Sequence, residues 1–143
     1  MNKHIYFYNE GVLYRLVEKE KIRSWILATI QEEKKQADNI SYIFCSDEYL
    51  LKINQEYLNA DYLTDVITFD FTEENRMSGD IFISIDRVKE NAKLFKQKRF
   101  QEMLRVILHG VLHLCGYKDK TKDEEELMRG KEDYYLRKFK SIT

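Results

Sequence analysis

The chain has no proline in 143 residues and only five glycines. Helices and strands can run without built-in breaks, so each glycine weighs more as a turn or cap signal. Two cysteines, Cys45 and Cys115, are too few for the disulfide framework of a small secreted domain. Cys45, in an apolar stretch, reads as a small buried hydrophobe, and Cys115 as a helix-packing residue. No apolar run reaches the roughly 20 residues that a membrane span needs. The opening MNKHIYFYNEG lacks the apolar core and cleavage site of a secretory signal. An excess of one charge is also missing, because 24 basic and 25 acidic residues leave a net charge of −1. Bulk charge therefore does not announce nucleic acid, and any RNA binding must use a local patch. These absences point to a cytoplasmic protein with no membrane partner, and no nucleotide cofactor is expected.

What is present suits one domain spanning residues 1–143, with 43% hydrophobic residues to build its core. Residues 4–8 read as a short strand. Ile22, Trp25, Ile26 and Ile30 recur at helical spacing within a helix over 19–35. Residues 39–45 are rich in β-branched and aromatic side chains and read as a strand. Ser46 and Asp47 suit the start of a helix to about Leu58, with Leu50, Leu51, Ile53 and Tyr57 turned inward. Residues 65–71 alternate as a half-buried strand, and Gly79 opens another, with EENRMS as the loop of a hairpin. Helices follow over 86–97, 99–115 and about 123–140. The expected fold is α/β (α+β), a small mixed sheet of about four strands surrounded by helices.

Two of the three histidines, His109 and His113, lie four residues apart on the most apolar helix. That spacing puts both imidazoles on one face, with Cβ atoms about 5–6 Å apart, close enough to share one ion. Asp119 lies six residues beyond His113. In a continuous helix it would be rotated some 240° and displaced by about 9 Å, out of reach. Gly116 can end the helix in the left-handed conformation and return the chain, so the three-ligand site requires a helix stop near Cys115. Cys115 itself is two residues from His113 and should point about 200° away. Two imidazoles and a carboxylate suit one divalent metal, zinc foremost, and three protein ligands leave the open position of a catalytic site, where a water is acidified. An isolated H-x-x-x-H is more often a pair of packed or solvated histidines, and Asp119 alone also reads as a solvated charge or a cap.

The segment HGVLHLCGYKD from His109 to Asp119 resembles the signature H-G-x-L-H-L-x-G-Y-D-H of the YbeY family of bacterial rRNA-processing metallo-endoribonucleases. His109, Gly110, Leu112, His113, Leu114, Gly116 and Tyr117 match. Upstream, Ile53, Asn54 and Tyr57 through Thr64-Asp65-Val66-Ile67-Thr68-Phe69 resemble the family's L-N-x-x-Y…T-D-V-L-S-F stretch, and Gly79-Asp80-Ile81 its G-D-I strand. The resemblance implies a four-stranded sheet with helices, a metal held by three side chains, and a role in maturing the 3′ end of 16S rRNA and in ribosome quality control. The implied partners are rRNA and the small ribosomal subunit. Asp119 stands where the family has a third histidine, Lys118 replaces an aspartate, and Leu58 replaces an arginine and is given a packing role. A carboxylate ligand should lower the ion's Lewis acidity and widen tolerance to manganese or iron.

The chemistry implied is metal-assisted hydrolysis of an RNA phosphodiester in single strands. Lys118, Lys120 and the run from Lys93 to Arg99 are candidate phosphate-facing cations, although such a run is as readily a solvated face. The acidic residues from Asp123 to Glu126 suit a helix N-terminus and would repel RNA there. The general base is unassigned, with Asp65 and Asp80 as candidates. A zinc peptidase would carry glutamate where Gly110 stands. A non-catalytic assembly factor with a structural metal would need a fourth ligand, for which Cys115 is badly placed.

Overall fold

Alternating burial along two central strands sets the architecture. In β2 (Gln36–Cys45) Ile40, Tyr42 and Phe44 turn to one side, and in β4 (Arg76–Ser84) Met77, Gly79, Ile81 and Ile83 do the same. The computed structural model describes residues 4–142. In chain order its elements are β1 (Ile5–Asn9), α1 (Lys19–Glu32), β2, α2 (Asp47–Leu58), β3 (Val66–Asp70), β4, α3 (Ile85–Leu94), α4 (Arg99–Leu114) and α5 (Lys122–Ser141). The sheet order is β1-β2-β4-β3, with β1-β2 and β2-β4 parallel and β3-β4 antiparallel. The mixed four-stranded sheet surrounded by helices is therefore as the sequence reading expected.

The two faces of the sheet hold separate clusters. The larger joins Ile40, Tyr42, Met77, Ile81 and Ile83 to Trp25 of α1, Leu104, Ile107, Leu108 and Val111 of α4, and Tyr135 of α5. The smaller packs Leu50 and Ile53 of α2 on Cys45 and Ile67. Two large buried polar tips are satisfied: Tyr42 Oη donates to the Ile107 carbonyl at 2.9 Å, and Trp25 Nε1 to the Tyr135 carbonyl at 2.8 Å.

Several expected boundaries shift. β2 begins at Gln36 and β4 at Arg76. The six-residue hairpin loop shrinks to a two-residue turn, since Glu73 and Arg76 exchange both backbone hydrogen bonds at 3.0 and 3.1 Å. Glu74 takes the left-handed conformation there (φ 55°), where a glycine would have announced the turn. Tyr57 and Leu58 point outward, at 66% and 51% exposure, so neither packs as expected. Asn54 is buried in their stead and caps the end of α2 through its carbonyl, which accepts from the Asn59 and Ala60 amides.

Candidate metal centre

The apolar stripe of α4 decides where its polar side chains go. Leu104, Ile107, Leu108, Val111 and Leu112 are almost wholly buried against the sheet. The same helical period leaves Arg105, His109 and His113 in a row along the flank of α4, half-buried. α4 then stops as the sequence demanded. Gly116 takes φ 108°, its amide bonds the His113 carbonyl at 3.0 Å, and the Tyr117 amide bonds the Leu112 carbonyl at 3.1 Å. This is a Schellman close, and it turns the chain back.

The turn carries Asp119 to the histidines. Asp119 Oδ2 lies 3.1 Å from His109 Nε2 and 3.4 Å from His113 Nε2, and the two Nε2 atoms are 3.0 Å apart. Two ligands at tetrahedral angles on one zinc, each about 2.05 Å from it, sit roughly 3.3 Å from each other. All three separations are close to that value.

The outward nitrogens decide the chemistry of the inward ones. His113 Nδ1 is 2.9 Å from the Tyr117 carbonyl oxygen, and His109 Nδ1 is 2.6 Å from Glu132 Oε2. Both partners are acceptors, so both Nδ1 atoms carry hydrogen and donate. A neutral imidazole then presents an Nε2 lone pair, and two such pairs and a carboxylate oxygen converge on one point. Without a cation those lone pairs would repel one another. The donor set thus fits a divalent ion, with the outward bonds fixing tautomer and ring orientation. Burial alone would depress the His109 pKa, but the hydrogen bond and charge of Glu132, with Asp119 and Asp65 adding, raise it. Glu132 is depressed against its own burial by His109 and Arg105.

Glu132, with Arg105 and Asp133, is the part sequence reasoning missed. Arg105 donates to Glu132 Oε1 and to Asp133 Oδ1, each at 2.7 Å. The available signal was Glu132 itself, a charged residue inside the stripe Met128, Tyr135, Phe139 that buries α5. Cys115 stays out of the centre, with its Sγ 3.7 Å from Met77 Sδ and burial pushing its thiol up to about 12. Gly110 sits where a Cβ would come within 2.7 Å of Ile81 Cγ2, so it lets α4 lie close on β4.

Beside the centre opens a cleft of about 1190 Å³ that reaches His109, Asp119 and Asp65. Its cations are Arg105, Lys122, Arg129, Arg137 and Lys140. Lys118, Lys120 and the Lys93–Arg99 lysines are exposed and do not line it, and that run spans the join between α3 and α4 instead of one helix face. The acidic residues from Asp123 onward form the first turn of α5, closed by a capping box of Thr121 and Glu124. Asp80 is separated from the centre by the sheet. It shares its face of β4 with Phe82, which packs with α2, whereas Ile81 faces Gly110 of α4.

The family model of Endoribonuclease YbeY matches residues 10–140. An endoribonuclease YbeY of Cytophaga hutchinsonii is 51% identical over 138 residues, 94% of this chain and 96% of the relative. One of Flavobacterium johnsoniae is 49% identical over 132 residues, 92% and 95% of the two chains. The solution structure of TM1509 from Thermotoga maritima superposes with a TM-score of 0.65 at 25% identity, covering 94% of this chain and 88% of that one.

Proposed function

Since the chain belongs to the YbeY endoribonuclease family, we propose that it is a metal-dependent endoribonuclease that cuts single-stranded RNA by hydrolysis. Its ion is one divalent metal, zinc by the donor set, held by His109, His113 and Asp119. Its substrate is the 3′ end of 16S rRNA, reached on the small ribosomal subunit in the cytoplasm, where it also serves ribosome quality control. Among the described residues no helix is long and apolar enough to cross a membrane.

One observation carries the reading: three lone-pair atoms within 3.4 Å of one another, with both imidazole tautomers fixed from behind. When bound there, the ion would polarise a phosphoryl oxygen and acidify a water. The protein's own contribution is orientation. Glu132 and the Tyr117 carbonyl hold the two rings, Gly116 returns Asp119, and the cleft cations offer donors to the phosphates of a bound strand. A closed structural site would need a fourth protein ligand, and Cys115, the nearest in sequence, faces Met77. A peptidase would need the carboxylate that Gly110 lacks.

The test is metal analysis of the purified protein together with cleavage of a single-stranded RNA in added Zn²⁺ or Mn²⁺. Wild type should hold about one equivalent of transition metal and cut RNA but not casein. His113→Ala and Asp119→Ala should lose both metal and cutting while keeping the fold by circular dichroism. RNA cleavage that survives both substitutions would overturn the proposal.

A further inference from the structure

Two carboxylates in the cleft are used by none of the foregoing. Asp65 precedes β3 and lines the cleft with His109 and Asp119. Its position is fixed from two sides: its carbonyl accepts the Ser84 amide at 2.9 Å, and Asn91 Nδ2 of α3 lies 3.4 Å from its Oδ2. Glu102 lies two helical turns before His109 on α4 and lines the same cleft. It is only 6% exposed, and among the described residues no hydrogen bond or ion pair holds its carboxylate.

Resting on the endoribonuclease reading, we propose that Asp65 is the group that takes the proton from the attacking water. The sheet separates Asp80, the other carboxylate the sequence offered, from this face. In the step, a bond forms between the water oxygen and phosphorus as the bond from phosphorus to the ribose oxygen breaks. The water's proton passes to the Asp65 carboxylate, and the ribose oxygen leaves with its electron pair and is protonated from solvent. The products are a phosphomonoester and a free hydroxyl.

The electrostatics agree with this placement. Burial raises the Asp65 pKa, opposed by His109, the backbone amides of Asp65 and Val66, and Asn91. Burial and then Asp65 itself raise Glu102, opposed by Arg105 and Arg129, with Glu132 adding to the rise. Burial thus makes Asp65 a stronger base than a free carboxylate, which is what a proton acceptor working near neutrality needs.

The experiment uses full-length protein in three forms: wild type, Asp65→Asn and Asp65→Glu. Metal content, RNA affinity, and kcat against KM over pH are measured. Asp65→Asn should keep its metal and its RNA affinity and lose kcat by about 100-fold or more, and Asp65→Glu should restore part of it. Asp65→Glu should also move the acidic limb of kcat away from its wild-type pH. Metal-replete Asp65→Asn with kcat within about threefold of wild type would overturn the assignment alone. So would an acidic limb of kcat that Asp65→Glu leaves in place, a readout that stands even where Asp65→Asn fails to fold. Wild type that holds metal and cuts no RNA would overturn the endoribonuclease reading, and this assignment with it.

Discussion

One carboxylate, Glu132, bridges Arg105 and His109. It receives Arg105 Nη1 at 2.7 Å on Oε1 and His109 Nδ1 at 2.6 Å on Oε2. α5 thereby sets the tautomer of a ring on α4. Replacing Glu132 by Ala should weaken metal affinity by roughly 10–100-fold, the usual cost of losing a group behind a ligand. Competition with a chromophoric chelator measures it. An affinity unchanged from wild type would show that the ring is held without α5.

Gly116 is the hinge of the three-ligand geometry. A Cβ there meets nothing within 4 Å, so the whole cost of Gly116→Ala is conformational, at φ 108°. We expect a loss of about 1–3 kcal/mol in denaturant unfolding, with weaker metal binding as Asp119 drifts. Loss of stability without loss of metal would mean that the Schellman close and the ligand return are separable.

Glu33, just past α1, holds the same loop from the other side. Tyr117 Oη donates to it at 2.7 Å, Tyr135 Oη also donates, and Lys131 Nζ lies at 3.4 Å. Burial alone would raise its pKa, but these donors overcome it and the net shift is downward. A carboxylate depressed by folding stabilises the fold above its unfolded value, near 4.3, and that contribution is lost as pH falls through the folded value. Glu33→Gln should therefore cost about 1.5–3 kcal/mol at pH 7 and leave a flatter stability profile below pH 5. Parallel acid profiles for the two proteins would count against it.

The ion should stabilise the fold by mass action. At a thousandfold excess over its dissociation constant the gain is about 4 kcal/mol, or roughly 10 °C in Tm for a chain of this size. Thermal scans with and without Zn²⁺ should show that shift in wild type and none in His113→Ala.

The local parts of the site were legible in the sequence. The four-residue spacing of His109 and His113 and the single glycine behind them specify a shared face and a stop, and both are backbone-local facts. Asp119 could be brought into the set because a left-handed Gly116 can end α4 and return the chain. Glu132, Arg105 and Asp65 could not be placed this way, since which flank of α4 meets α5 and β3 is decided by packing across the molecule. The hairpin turn was misread because Glu74 holds a conformation usually given to glycine. Tyr57 was read as inward from helical period, and Leu58 was given a packing role where the family has an arginine, but α2 covers the sheet with a stripe ending at Asn54.

The order of elements along the chain has a consequence for biosynthesis. His109 and His113 leave the ribosome before α5, the helix bearing the carboxylate that orients one of them. A nascent chain at that stage has a His109 ring with no fixed tautomer, while His113 already has the Tyr117 carbonyl behind it. On the proposed function, selective loading would wait for α5 to dock, and a chain arrested earlier would hold a metal less tightly.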